Sequence, residues 1–492
     1  MPKKEDLTAI VGRDNVFDSP PVLDKYAQDQ SFVRSCKPNM VVKPKNLEEV
    51  QGVIRLCNQD KTPVVPYSSG LNLRGAAIPD QGGIVLDLSS MNKIEEINEK
   101  NRLAVVEPGV TYEKLQDELA QRGYRAMVPW GVPPKRSVLS SYMERDPVLA
   151  AASFEYGNDL FLDMEIVLPT GEVFRTGNWS IEGGEAACSW GPAGYMTYRF
   201  WTGAQGTFGI VTKLAMKIEA VPKARKVFFL SFDSIEEAVA PLRKIQRREI
   251  GIECFGLNSF NLAATLEEEW ITPESFPAEK VFSTNFETLR RRLPPWTFVI
   301  CLSGLEYFPE DKISYEEAVL REVCAEENVE LLTSLPGLPR LEEIFLEALI
   351  YPWRRSLKKF RYKGSCPNIA FHSPPAKIPE LEGIIRRVVE KYGYPNRDIG
   401  GYLLPIERGR AIYAEFDLPC DLEDEGEAEL VKRIWNEASE TLIDKGAYFE
   451  RPYGRWADMV YSRYNTAYVS KLKDLKKEID PNNIMNPGKL CF

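Results

Sequence analysis

Pro66-Tyr67-Ser68-Ser69-Gly70-Leu71-Asn72 is the stretch on which the fold reading turns. Small residues between a strand and a turn leave backbone N–H groups free to converge on an anion, so this loop can hold a diphosphate without many basic side chains. Alone it also reads as a surface turn. Outward from it, Thr62-Pro63-Val64-Val65-Pro66 and Gly83-Ile84-Val85-Leu86-Asp87-Leu88 read as short strands bounded by Gly and Pro. Upstream, apolar residues recur at helical spacing at Val50, Val53, Ile54 and Cys57, with Asn46 as N-cap and Glu49 three residues later. Downstream come a strand at Leu103 to Glu107 and a capped amphipathic helix, Thr111 to Arg122, ending at Gly123. Strand and helix alternate, so this half is of α/β type.

Further along, Phe161 to Leu168 and Val173 to Arg175 flank a Gly171 turn and predict a hairpin. After Pro222 the texture changes. Strand-then-helix pairs recur at Val227 to Phe232 with Ser234 to Gln246, at Ile369 to Phe371 with Ile378 to Tyr392, and at Ala411 to Phe416 with Asp424 to Lys445; Phe298 to Leu302 adds a strand. This pattern predicts an α+β second domain with an antiparallel sheet. Tyr461 to Asp480 reads as one helix, and Asn482 to Lys489 as a tail returning to the first domain. The predicted organisation is 1–220, 221–450 and 451–492.

At 492 residues the chain exceeds one ordinary core. A hydrophobic share of 44% and a charged share of 27% are those of a globular protein, which makes disorder an unsuitable reading. The formal charge of -10 leaves no excess of Lys and Arg to displace counterions, so no nucleic-acid partner is expected. There is no signal-peptide core and no run of about 18 apolar residues, giving the expectation of a cytoplasmic protein without a membrane span. Nine scattered cysteines contain no CxxC pair, hence no zinc or iron–sulfur spacing and no expected metal. His372 is the single histidine, which disfavours a Ser-His-Asp hydrolase or a multi-histidine metal site.

The segments PYSSGLN, VVEPGVTYEKL, SVLSSYMERD, EYGNDLFLDMEIVLPTGEVFRTG, GPAGYMTYRFWTGAQGTFGIVTK, AFHSPPA and DPNNIMNPGK fall in the order and spacing of one family. From about residue 38 to the end, the chain resembles the vanillyl-alcohol oxidase / p-cresol methylhydroxylase flavoproteins. The resemblance implies an α+β, two-domain fold: an FAD-binding domain made from both chain ends, and an antiparallel-sheet cap domain over the isoalloxazine. It implies FAD, held non-covalently, with Ser68, Ser69, Gly70 and Asn72 at the diphosphate and Pro66, Tyr67, Leu71 and Pro108 beside them. It further implies Ser137, Ser140, Ser141, Glu144, Gly157 and Asn158 along the ribityl chain or flavin. Gly209, Ile210 and Val211 fall near the adenine half, and Lys489 close to the ring's polar edge.

The departures bear on substrate. Phenol-oxidising members have a tyrosine after the diphosphate loop, a late Tyr-Arg pair and an aspartate after the Tyr-Gly motif. Here those positions fall near Leu73-Arg74, at Glu450-Arg451 and at Asn158-Asp159, so Arg451 and Asp159 are what remains. His372, just before Ser373-Pro374, reads as a flavin attachment site, a substrate-facing group or a structurally satisfied histidine. Glu450, Arg451, Tyr453, Asp159 and His372 are the candidate catalytic residues, since hydride removal needs a base or ion pair to manage the accompanying proton. Phe449 to Trp456 reads equally as a solvated loop with an aromatic anchor, and Arg354-Arg355 as a carboxylate fork or a surface pair.

The leading expectation is an FAD-dependent oxidoreductase that takes a hydride from an aromatic or benzylic alcohol, or from an alkylphenol. Two alternatives stand beside it. One is a D-2-hydroxy-acid dehydrogenase, whose members carry a histidine-based metal site and a Gly-Glu-His-Gly segment missing from this sequence. The other is a flavin-binding electron-transfer subunit without its own substrate. A nicotinamide enzyme is disfavoured, because no GxGxxG follows a strand and opens a helix. The expected partners are a small organic substrate, a separate electron-acceptor protein and further copies of the chain.

Overall fold

The computed structural model describes residues 1–71, 74–150, 160–184, 186–187, 197–267 and 286–492. Its first sheet contains β1 (Val16–Phe17), β2 (Met40–Val42), β3 (Val64–Tyr67) and β4 (Ile84–Asp87), in the order β1-β2-β4-β3. Strands β2, β4 and β3 run parallel. Both faces are buried: Val41, Val65 and Val85 form one cluster, while Val42, Val64, Ile84 and Leu86 join a second. Such two-sided burial is why these runs read as continuously apolar instead of alternating. Helix α1 (Leu47–Gln59) lays Val50, Val53, Ile54 and Cys57 on the second cluster. Asn46 Oδ1 accepts from the Glu49 N–H at 2.9 Å and Glu49 Oε2 accepts from the Lys45 N–H at 2.8 Å, closing the α1 N-terminus.

The second sheet holds β5 (Ile94–Asn98), β6 (Leu103–Val106), β7 (Phe161–Val167), β8 (Val173–Arg175) and β9 (Ile210–Lys217), ordered β5-β6-β9-β7-β8 and antiparallel throughout. The β7–β8 hairpin turns at Gly171, whose φ of 81° suits glycine. Helices α2 (Tyr112–Ala120) and α3 (Val138–Met143) are capped by Thr111 and Ser137.

The cap is a six-stranded antiparallel sheet of β10 (Ala224–Phe232), β11 (Glu253–Asn258), β12 (Trp296–Gly304), β13 (Asn368–Ser373), β14 (Gly400–Ile406) and β15 (Ala411–Asp417), ordered β10-β12-β11-β14-β15-β13. Every residue of β12 is buried, as a central strand requires. Helices α4 (Ile235–Arg247), α5 (Ile378–Lys391) and α6 (Glu425–Asp444) belong to this half, α5 packing on both α4 and α6.

The tail differs from the single predicted helix. It forms α7 (Arg455–Tyr461) and α8 (Thr466–Ile479), because Asn465 caps a new start by accepting from the Ala467 N–H at 2.8 Å. The chain then extends β3: the Val64 N–H donates to Ile484 O at 2.7 Å and the Asn486 N–H to Val64 O at 2.9 Å. The C-terminus thus completes the first sheet, as a domain built from both chain ends demands. No helix among the described residues is long and apolar enough to cross a membrane.

Candidate functional site

Two cavities meet at Arg136, which lines both. The inner one, about 830 Å³ including its open mouth, lies wholly in the first domain. Pro66, Tyr67, Ser68, Gly70, Pro108, Ser140, Glu144, Gly209, Ile210 and Val211, all predicted from sequence, line it. The wall is closely set. A Cβ at Gly70 (φ +65°) would come within 2.1 Å of the Tyr67 hydroxyl, and one at Gly206 (φ +72°) within 2.3 Å of Pro66 Cγ. Ser137 fixes the neighbouring loop: its N–H donates to Ser69 Oγ at 3.1 Å, while its own Oγ accepts from the Ser140 N–H at 3.1 Å. Ser141 is fully buried, donating to Asp146 Oδ2 at 2.8 Å.

The outer cavity, about 1000 Å³ including its mouth, lies between this domain and the cap. One side is apolar, with Trp130, Val132, Leu357 and Phe360; the other carries Arg74, Lys359, Tyr402, Tyr413, Glu415 and Arg451. Leu71 and Tyr453 also line it. Arg451 pairs with Asp146, whose other oxygen meets Arg136 Nη2 at 3.1 Å. Burial alone would raise the Asp146 carboxyl, but Arg136, Arg451 and Arg74 outweigh it and hold it below the usual carboxylate range. Tyr413 donates to Glu415 Oε2 at 2.8 Å and lies 3.4 Å from Arg451 Nη2. Lys359 Nζ bonds Asp417 at 2.7 Å and Glu415 at 3.1 Å. Against the burial of Glu415, Lys359 and Arg74 keep it ionised; burial and then Glu415 push the Tyr413 phenol up to about 12.

The other predicted residues fall elsewhere. Lys489 is buried beneath the 75–80 loop, bonding Gly75 O at 2.9 Å and Asp80 Oδ2 at 2.6 Å, and lines neither cavity. His372 and Glu450 also lie outside both walls: His372 Nδ1 is 3.6 Å from Glu450 Oε2, and Arg145 reaches Glu450 Oε1 at 3.3 Å. Burial, then Arg451 and Arg145, push the His372 imidazole down to about 3, so it is neutral at pH 7. The 449–456 segment is largely buried. Arg354 and Arg355 both bind Glu347, at 2.8 and 3.4 Å. Asn72, Gly157, Asn158 and Asp159 lie outside the described residues.

Sequence reasoning missed Trp130, Arg136, Asp146, Lys359, Tyr402, Tyr413 and Glu415. For Tyr402, Tyr413 and Glu415 the signal was polar side chains within apolar strands, β14 and β15; Trp130, Arg136, Asp146 and Lys359 lie outside strands and carried no such signal.

The cavities fit FAD. The inner cavity combines backbone-rich loops for a diphosphate with an apolar wall of Leu88, Met143, Trp201 and Ile210 for a purine. Two buried polar atoms on the walls, Gln205 Oε1 and Tyr402 OH, lack a hydrogen-bond partner within the protein, as expected where a ligand supplies it.

Comparison with known proteins agrees with this geometry. Residues 38–177 match the FAD binding domain model, and residues 453–490 match the C-terminal domain of FAD linked oxidases. The chain is 25% identical to the glycolate oxidase subunit GlcD of Bacillus subtilis (strain 168), across 99% of this chain and 96% of that one. It is also 25% identical to the 4-cresol dehydrogenase [hydroxylating] flavoprotein subunit of Pseudomonas putida, across 99% and 94%. In fold it is similar to the crystal structure of p-cresol methylhydroxylase with substrate bound, at TM-score 0.84 and 22% identity over 99% and 96% of the two chains. The 4-ethylphenol oxidase of Gulosibacter chungangensis, an isoeugenol complex, follows at 0.81 and 21% over 99% and 96%.

Proposed function

Because the chain belongs to the FAD-linked oxidoreductases of the p-cresol methylhydroxylase and vanillyl-alcohol oxidase type, we propose that it oxidises an aromatic or benzylic alcohol, or an alkylphenol, at the carbon beside the ring. Bound FAD supplies the hydride acceptor. The observation that carries the reading is the two-sided outer cavity, apolar at Trp130 and Phe360 and cationic at Arg74 and Arg451.

Trp130 and Phe360 bury the ring, while Arg74 and Arg451 donate to the substrate oxygen. They stabilise the charge that develops there as its proton passes through Tyr413 to Glu415 and the hydride leaves the carbon. Glu415, kept ionised by Lys359 and Arg74, takes the Tyr413 hydrogen. The lone pairs of the Tyr413 oxygen then face the cavity and accept from the substrate hydroxyl. Asp146 holds Arg136 and Arg451 apart and in place. A non-covalent FAD is supported by the position of His372 outside both walls. A separate electron acceptor is supported by the Pseudomonas putida relative being named a flavoprotein subunit.

A second reading, oxidation of a 2-hydroxy acid, is favoured by the guanidinium count around the cavity and by relatives named glycolate oxidase subunit and D-lactate dehydrogenase. Among the described residues, no group of three His, Cys, Asp or Glu side chains could hold a metal ion. Anaerobic mixing of the FAD-loaded protein with 4-hydroxybenzyl alcohol, vanillyl alcohol, glycolate and D-lactate decides between them. Bleaching of the flavin band by the aromatic alcohols alone supports the proposal. Bleaching by the hydroxy acids alone replaces it with the second reading.

A further inference from the structure

A third pocket, about 450 Å³ including its mouth, adjoins the outer cavity. The two share Gln30, Arg74, Pro367, Asn368 and Tyr453, which stand between them. Arg74 Cζ lies 5.8 Å from the Tyr453 ring centre at this seam. Beyond it the walls turn apolar, with Phe32, Val33, Trp435 and Trp456.

The two tryptophans stack, ring centres 4.8 Å apart at an interplanar angle of 15°, and Phe32 stands edge-on to Trp435 at 5.9 Å. Both indole N–H groups are already satisfied inside the protein: Trp435 donates to Asn368 O at 2.8 Å and Trp456 to Ser439 Oγ at 2.9 Å. What the pair offers the pocket is therefore ring surface. Gly454, at φ +49°, allows the walls to close on one another, since a Cβ there would meet Val33 Cγ2 at 2.6 Å. The pocket is thus an aromatic-lined neighbour of the outer cavity, and its lining suits an apolar ring more than an ion.

We propose that this pocket binds a second aromatic ring of the substrate, tethered by a short linker to the ring that is oxidised. The enzyme is then specific for two-ring aryl ethers or comparably extended phenols over single-ring ones. This rests on the proposed function only in placing the reacting ring in the outer cavity.

Calorimetric titration of the FAD-loaded protein tests it with three probes: p-cresol, 4-(phenoxymethyl)phenol and benzyl phenyl ether, the last lacking the hydroxyl. The two-ring phenol is expected to bind about tenfold tighter than p-cresol, the scale of one aromatic contact. Ser31→Trp, which fills the pocket from its rim, is expected to erase that gain and leave p-cresol binding unchanged; Val33→Trp gives an independent filling variant. Equal affinity of the two phenols for the wild type overturns the proposal, as does a gain that survives both variants. Binding of benzyl phenyl ether but not p-cresol, lost in Ser31→Trp, upholds the pocket and overturns the phenolic reading of the outer cavity. Binding of none of the three overturns both.

Discussion

Tyr453, from the segment that follows the cap, donates its hydroxyl hydrogen to Glu144 Oε2, at the end of the short helix α3 in the first domain. Their separation of 2.5 Å joins the wall of the outer cavity to that of the inner one. Burial raises the Glu144 carboxyl despite this bond. Tyr453→Phe removes the donor and leaves a buried acceptor, a loss of about 1–3 kcal/mol. The expected result is a lower denaturation midpoint together with weaker FAD retention, measured by urea titration and by flavin release on dilution. An unchanged midpoint refutes the coupling.

His372 gives a pH dependence of defined sign. Its folded value, about 3, lies below its ordinary 6.5. Between those values the unfolded chain binds more protons than the folded one, so stability rises with pH. The contribution is fully present above pH 6.5 and is lost as pH falls towards 3. A shift of this size corresponds to on the order of 5 kcal/mol. The groups around the ring are Glu450, Arg145, Arg451, Tyr413 and Tyr448. His372→Gln is expected to flatten the urea-derived stability curve between pH 6.5 and 4; a curve as steep as wild type contradicts the assignment.

Asn46 with Glu49, Thr111 and Ser137 announce helix caps within a few residues. Pro108, Glu144, Gly209, Ile210 and Val211 of the inner cavity were reached through the resemblance, but its Pro66 to Gly70 loop was legible locally, as small residues directly after a strand. The outer cavity was not, because sheet register assembles it. Pairing of β13 and β15 sets His372 opposite Tyr413, and pairing of β14 and β15 sets Tyr402 opposite Glu415. Nothing near residue 413 encodes its meeting with Arg451. The second sheet's β9 and the cap's β11 and β14 were missed as strands for a related reason: Gly209, Gly256, Gly400, Gly401 and Pro405 read locally as breakers, and tertiary pairing overrides them. The placement of Lys489 at the polar edge of the flavin came from resemblance alone; its ammonium bonds Asp80.

Tyr413→Phe separates positioning from general stability. The variant keeps the ring against Tyr402 and His372 but loses the hydroxyl between Arg451 and Glu415. The rate constant for anaerobic flavin reduction by the substrate is expected to fall about 10²-fold or more, with FAD content unchanged. Since the phenol is pushed up to about 12, the wild-type rate should show no alkaline limb from this group below about pH 11. A limb near pH 9 that disappears in Tyr413→Phe would disprove the assignment.

Lys476 shows how the C-terminus supports the inner cavity without lining it. Its buried ammonium donates to Thr207 O at 2.6 Å, Met485 O at 2.9 Å and Asp480 Oδ2 at 2.6 Å, while Asn486 reaches Gln205 O at 2.6 Å and Ala76 O at 3.1 Å. These bonds tie the 205–207 and 75–80 loops, which carry Gln205, Gly206, Ala76 and Ala77 of the cavity wall, to the extended tail. Lys476→Met strands the Asp480 carboxylate, which is buried and also accepts from the Ile484 and Met485 N–H groups. Removing one partner of a buried pair costs about 3–5 kcal/mol. The double variant Lys476→Met/Asp480→Asn removes the stranded charge and should recover part of that stability. FAD affinity should stay reduced in both, because the loops lose their ammonium tie either way. Fluorescence titration of the apoprotein with FAD, paired with urea denaturation of each variant, separates the two effects; FAD affinity recovering in step with stability would show that the tail acts on stability alone.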